Sequence, residues 1–223
     1  MKMNRARAAA ARRPRRVGDE LRAAILKAAA AVFLRDGYSG ASIESIIDKV
    51  GGSKRAIYSH FGGKKELFAA LVNEASSQAV AALSPDEVEK HDLAETLTAF
   101  GQQVMRVLME PTTLALYRAV IAEGTRLPDV AQVFFDNGPG RASKSLAQVL
   151  DRFRERGEIQ IDDSQRAAEH FVGMLRDDLH LRVVLGLRLP PGEKEMADSV
   201  RQAVRIFLRG VGNGTRLRSL KLR

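Results

Sequence analysis

The chain has 223 residues, 45% of them apolar, with 36 Lys and Arg against 27 Asp and Glu for a formal net charge of +9, and no cysteine. That length can bury a core in one small and one larger domain, and zero cysteine excludes disulfides and thiolate metal sites and suits a reducing cytoplasm. No apolar run reaches the length of a membrane span, and the basic N-terminus lacks the hydrophobic stretch and cleavage site of a secretory signal.

Residues 1–18 read as a basic arm. Between Met1 and Arg16 it carries seven basic residues and is otherwise mostly alanine, so it has little to insert into a bilayer. Two readings stay open for it: a disordered solubilising tail, or an arm that tracks phosphates or enters a minor groove. From Asp19 to Asp36, Leu21, Ile25, Ala28, Val32 and Phe33 make one apolar stripe closed by Gly37, which predicts a first helix. Ser42 is an N-cap, Ile43, Ile46, Ile47 and Val50 fall on one face, and Gly51-Gly52 breaks that helix for a sharp turn. Ser53 then caps a third helix. In it Ile57 and Phe61 lie four apart and point inward, leaving Lys54, Arg55, Ala56, Tyr58, Ser59 and His60 on the other faces. A face that offers cations, small side chains and hydrogen-bonding aromatics suits a DNA major groove.

Lys64 to about Leu83 reads as a long fourth helix, a lever between domains, interrupted by Ser84-Pro85. His91 to Met109 and Thr112 to Gly124 follow as helices separated by Pro111. Leu127-Pro128 opens another, Gly138-Pro139-Gly140 breaks it, and Arg141 to Arg156 resumes it. Nothing alternates with period two long enough for a sheet; Glu158 to Ile161 is at most a short extended link. Asp162 and Gln165 stand as cap and third position of a capping box, and two last helices run from about Ser164 to Leu187 and from Gly192 to Arg209, joined through Pro190-Pro191.

Charge separates the chain into unequal parts. Residues 1–83 hold 15 basic against 7 acidic side chains and residues 84–223 hold 21 against 20, so nearly all of the net charge sits in the first third. Such polarity is the electrostatic footprint of a nucleic-acid domain joined to a domain with another task.

The run GGSKRAIYSHFGGKKEL, residues 51–67, resembles the signature of the TetR family of bacterial transcriptional regulators, with Tyr58, His60, Phe61, Lys64 and Leu67 in the family's order. The resemblance spans about the first third of the chain. It departs at Gly52, where the family has a small apolar residue, and at Gly62-Gly63, where it has Pro-Ser; a looser turn with the fold intact is expected. The resemblance implies an all-α fold: an N-terminal three-helix helix-turn-helix DNA-binding domain over residues 19–65, a larger helical ligand-binding and dimerisation domain over 66–210, and a basic tail over 211–223. It implies that Ser42, Tyr58, His60 and Lys64 hold phosphates and that Ser53, Lys54, Arg55, Ala56 and Ser59 read bases of a double-stranded operator.

One short helix-turn-helix contacts few base pairs, so a homodimer on two half-sites is expected. The rows Phe171, Leu175, Leu179, Val183 and Val200, Val204, Phe207, Val211 serve either the subunit's own core or, as the resemblance implies, a four-helix dimer interface; the interface is the expectation taken. The resemblance also implies a small-molecule effector pocket, for which Phe100, Val104, Leu108, Leu116, Tyr117, Val120, Phe134, Phe135 and Met174 are candidate lining residues, the alternative being a filled core. Asp177 and Asp178 are counter-ions for a cationic ligand only if they face inward. An enzyme is not expected: there is no phosphate-binding Gly-rich loop or nucleophile elbow, and His60, His91, His170 and His180 lack metal-ligand spacing, so no catalytic residue, metal or cofactor is assigned. The function expected is a cytoplasmic, ligand-responsive repressor released from its operator by a small molecule; the alternative is a ligand-independent architectural DNA binder.

Overall fold

The computed structural model describes residues 3–211, with side chains from residue 18 onward. The expectations for the arm's side chains and for the tail beyond Val211 lie outside the described residues. Among the described residues every regular element is helical: α1 Met3–Gly40, α2 Ile43–Val50, α3 Lys54–Phe61, α4 Lys64–Val80 continued by a 3-10 turn Ala81–Leu83, α5 Pro85–Val88, α6 Leu93–Met109, α7 Pro111–Glu123, α8 Pro128–Asn137, α9 Pro139–Glu155, α10 Ser164–Leu175, α11 Asp178–Val184 and α12 Glu193–Val211. The regular path of α1 breaks at Gly37 (φ 69°, ψ −177°), where the apolar stripe ends. Asp92 and Glu95 form a reciprocal capping box that starts α6.

The chain divides into two compact units. The first joins residues up to Glu74 with Pro111–Phe134, and the second joins Ala75–Glu110 with the chain from Phe135 onward. The first unit therefore takes in α7 and most of α8, residues expected in the later domain. Its core combines Ile25, Ala29, Val32 and Phe33 of α1 with Ile46 of α2, Ile57 of α3, Leu67 and Phe68 of α4, Leu116 of α7 and Val130 of α8. Phe33, Tyr38 and Phe68 form its aromatic centre, with Tyr38 stacked on Phe33 at 5.8 Å and edge-on to Phe68 at 5.2 Å. Edge-to-face and offset pairs add about 0.5–1.5 kcal/mol each beyond area burial.

The second unit packs α6, α9, α10 and α12 around Leu97, Phe100, Leu146, Leu150, Phe153, Phe171, Leu175 and Val200, all fully buried. Phe171 links the layers, 6.3 Å from Phe100 and 5.1 Å from Phe207. Gly101 lets α6 approach α12 closely: a Cβ there would lie 2.7 Å from Val200 Cγ1.

Two expectations are corrected here. The cap of α10 is Asp163, whose carboxylate accepts from Arg166 N–H at 2.9 Å, so Asp162 lies one residue too early for that role. The helix expected to run from Ser164 to Leu187 is two helices, because Asp177 acts as an internal N-cap. One of its oxygens accepts from Leu179 N–H at 3.0 Å and the other from Ser199 Oγ of α12 at 2.9 Å. A short side chain that can satisfy orphan backbone donors competes with helix continuation, and the bond to α12 favours the broken form. Asp177 is thus engaged by its own chain and Asp178 is ion-paired with Arg182; neither is arranged as a free counter-ion.

Just past this break His180 is 3% exposed. Burial holds its imidazole below the ordinary value of 6.5, Arg176 adds to the effect and Asp177 opposes it. A depressed folded-state value means that His180's contribution is full above the unfolded value and is lost as the pH falls below it. Thermal melts at about pH 7.5 and about pH 5.5 should show a larger fall in wild type than in His180→Gln; equal falls would contradict this role.

Candidate nucleic-acid interface

The second and third helices are set by their ends. Ser42 is extended (φ −127°, ψ 157°) and its Oγ accepts from Ser45 N–H at 3.0 Å, while the Ser42 and Ser45 hydroxyls share a hydrogen bond at 2.5 Å. Gly51 closes α2 at φ 71°, a conformation costly for a residue with a Cβ, and its N–H donates to Ile47 O at 2.8 Å. Ser53 Oγ accepts from Ala56 N–H at 3.3 Å to open α3. Gly62 ends α3 at φ 97°, a backbone angle proline cannot adopt, so the Gly62-Gly63 turn takes its own path with the helices intact.

Ile57 is the buried residue of α3, and Phe61 is half-buried with the Arg22 guanidinium 5.2 Å from its ring centre. Ser53, Lys54, Arg55, Tyr58, Ser59 and His60 are exposed and Ala56 is half-buried. Tyr58 keeps 53% of its surface open although it is a large aromatic. Ser59 Oγ donates to Ala56 O at 3.0 Å, which leaves its lone pairs outward. Cations, hydroxyls and an imidazole therefore share the outside of one helix whose inner side is fixed by a buried isoleucine.

Lys54 is ion-paired with Glu44 of α2. The shared hydrogen bond raises the lysine above its ordinary value and lowers the carboxylate below its own. Sequence spacing hid this pair, since the two residues are ten apart across a turn. Lys64, expected on a phosphate, is held by its own chain. Its Nζ donates to Tyr38 O at 2.9 Å and Ala41 O at 3.0 Å and lies 4.5 Å from the Tyr38 ring centre. Burial lowers its pKa, with Glu123 opposing. Two of the three ammonium protons hold the α1–α2 connection to the start of α4, so Lys64 has one proton left for a phosphate. Ser39, next to Tyr38, is held by Glu123 of α7: its Oγ donates to one carboxylate oxygen and its N–H to the other.

The row expected at a dimer interface is buried within the subunit itself. Phe171, Leu175, Val183, Val200, Val204, Phe207 and Val211 are each at most 9% exposed within a single chain. Leu179 is half-buried. Four-residue spacing marked buried residues correctly but could not say which chain buries them. The side chains left open on and beside α11 and α12 are Leu181, Leu185, Leu187, Leu189 and Ile206, from 52% to 84% exposed. The candidate pocket residues divide between the two units. Phe100 and Val104 are core of the second unit, where Leu108 is half-buried; Met174 lines a surface groove with Leu179, Leu187, Ala203 and Ile206; Phe135 is 56% exposed. Leu116 belongs to the core of the first unit, with Val120 and Phe134 packed against it and Tyr117 edge-on to Phe134 at 5.7 Å.

No helix among the described residues is long and apolar enough to cross a membrane. None of them form a group of three or more potential metal ligands.

Two family models match this chain. The one for bacterial regulatory proteins of the tetR family covers residues 25–71, and the one for the C-terminal domain of AefR-like transcriptional repressors covers residues 95–211. The chain is 26% identical over 185 residues to the HTH-type transcriptional repressor AcnR of Corynebacterium glutamicum, which spans 81% of this chain and 90% of that relative. Among solved structures it is similar to a regulator from Mesorhizobium loti described as TetR-family (TM-score 0.74, 28% identity, 87% of this chain and 98% of the other). It is also similar to the flavonoid-responsive regulator FrrA (TM-score 0.69, 27% identity, 88% and 100%).

Removing the Lys64 clamp should loosen the first unit. Two partly buried charge-assisted hydrogen bonds predict that Lys64→Met lowers stability by about 2 kcal/mol, read as a lower urea midpoint. Lys65→Met, which removes only a surface pair with Asp129, should cost less than about 1 kcal/mol. Equal midpoints for the two variants would sink the clamp.

Proposed function

The chain belongs to the tetR family of bacterial regulatory proteins, DNA-binding regulators of transcription, and on that premise we propose that it is a cytoplasmic repressor that leaves its operator when a small molecule binds. The observation that carries the DNA side of this reading is the build of α3. Its two caps and buried Ile57 hold Lys54, Arg55, Tyr58, Ser59 and His60 outward together. Residues at the N-terminal end of such a helix face base edges, while the flanking polar groups take phosphates. Arg55 donates to a guanine, Ala56 meets a thymine methyl, Ser53, Lys54 and Ser59 complete the base contacts, and Ser42, Tyr58, His60 and the remaining proton of Lys64 position the backbone.

The protein works as a homodimer, so that two α3 helices reach half-sites about one turn of duplex apart. Its surface of association is the open side of α11 and α12 with their connection: Leu185, Leu187, Leu189 and Ile206 beside the groove of Met174, Leu179 and Ala203. Clustered exposed apolar side chains of this kind mark association sites, and the ion pairs Arg182–Asp178, Arg188–Glu195 and Arg201–Asp198 supply both charge signs near it, as a self-complementary interface requires.

The effector binds within the second unit. Support comes from Ser76 Oγ, Thr96 Oγ1 and Arg176 Nε, buried there without a hydrogen-bond partner among the described residues, and from the flavonoid-responsive relative. A small aromatic compound with hydrogen-bonding substituents suits such donors. Ligand favours a state in which the two α3 helices lose the spacing of the half-sites, and occupancy falls by population shift.

Arg55→Ala should weaken operator binding by about 1–3 kcal/mol, relax preference at one base pair per half-site and leave random-duplex binding nearly unchanged; equal losses on both duplexes would remove its base-reading role. In sedimentation at micromolar concentration, Ile206→Asp with Leu187→Asp should give a folded monomer, whereas Phe207→Asp should unfold the chain. A folded dimer from the first pair would place the interface elsewhere.

A further inference from the structure

The family resemblance gave no role to Glu44, yet its carboxylate is held against the ammonium of Lys54, the first residue of α3. Both side chains are more than half exposed, at 57% for Glu44 and 59% for Lys54, so the pair lies on the surface and is not buried for stability. Glu44 lies in the first turn of α2, where the helix favours an ionised carboxylate. Exposed pairs contribute little to folding. A carboxylate beside the reading end of a DNA-binding helix also repels phosphates, which weakens binding to any duplex.

The chemistry of base edges gives this arrangement a use. In the major groove a G·C pair presents the acceptors N7 and O6 of guanine beside the N4 amino donor of cytosine. A lysine ammonium beside a carboxylate presents the complementary order, donor then acceptor, already aligned. An A·T pair at the same place offers a donor where Lys54 needs an acceptor, a T·A pair keeps the order but puts the thymine methyl where guanine offers the ammonium its second acceptor, N7, and a phosphate offers Glu44 nothing to accept from.

We infer that Glu44 is a specificity-determining residue that acts with Lys54 as one reading unit for a G·C pair in each half-site, Lys54 donating to guanine and Glu44 accepting from the cytosine N4 amino. The inference rests on the DNA-reading role of α3. On non-cognate duplex the carboxylate keeps Lys54 from a phosphate and holds down random binding, and on the operator it is satisfied.

The test uses full-length wild type, Glu44→Gln, Lys54→Met and Arg55→Ala on duplexes selected by wild type from a random pool, with every base pair of the half-site varied and a salt series on random duplex. Glu44→Gln should flatten a preference for G·C of about tenfold at one position, and Lys54→Met should flatten the same position. Glu44→Gln should also tighten random binding severalfold at low salt and steepen the salt slope by about 0.9, the equivalent of one more phosphate contact. Unchanged preferences and slope in Glu44→Gln, or loss at a position other than that of Lys54→Met, would overturn the inference. If Arg55→Ala alters its own position while Glu44→Gln alters none, this inference alone fails. If wild type selects no sequence, the reading role of α3 fails with it.

Discussion

The Lys64 ammonium, seated on the Tyr38 ring and donating to two main-chain carbonyls, is the interaction on which the reading head depends. The end of a helix leaves carbonyls without intrahelical donors, and the connection from α1 to α2 begins at such an end. One cation serves two carbonyls of this region, Tyr38 O near the end of α1 and Ala41 O in the connection. It comes from the first residue of α4, so the start of that helix and the start of α2 are tied by a single side chain. Tyr38, Phe33 and Phe68 form the apolar floor beneath it. From there the order runs outward: Ser42 begins α2, Gly51 turns the chain, Ser53 begins α3, and Ile57 fixes which side of α3 faces out.

Charge is distributed to match that architecture. The cations of the head are exposed on α3, while the later part of the chain balances its signs in surface pairs such as Arg188–Glu195 and Arg182–Asp178. Within the head, Glu44 is an acid placed against a cation at the first residue of α3, the observation from which its selective role is inferred. Glu123 has a different task, holding the Ser39 main chain and hydroxyl. With Leu116 and Val130 in the same core, this makes α7 and α8 part of the unit that carries the helix-turn-helix.

Local signals were the legible part of the sequence. The caps Ser42 and Ser53, the break at Gly51 and the opening of α8 at Pro128 stand where residue chemistry alone placed them, because a cap or a breaker acts on its own neighbours; Pro111 and Pro139, read as breaks between helices, are instead the first residues of α7 and α9, where a missing N–H costs nothing. Long-range identity was not legible. The rows containing Phe171 and Phe207 were recognisable as buried, yet periodicity does not tell a subunit's core from an interface, and the open residues Leu185, Leu187 and Leu189 sit in a connection with no helical period. Asp177 reads as one more charged helix residue until Ser199 of α12 is known to lie against it. Lys64 matched the family's motif for a phosphate contact, but its carbonyl partners lie 23 and 26 residues earlier, beyond any local rule.

Hydroxyl-radical footprinting of wild-type protein on duplexes it selects from a random pool tests the central claim most directly. Protection of two symmetric segments, centred about one helical turn apart, with a stoichiometry of two chains per duplex, is the result this account predicts. A single protected segment, or uniform weak protection without sequence preference, would contradict it.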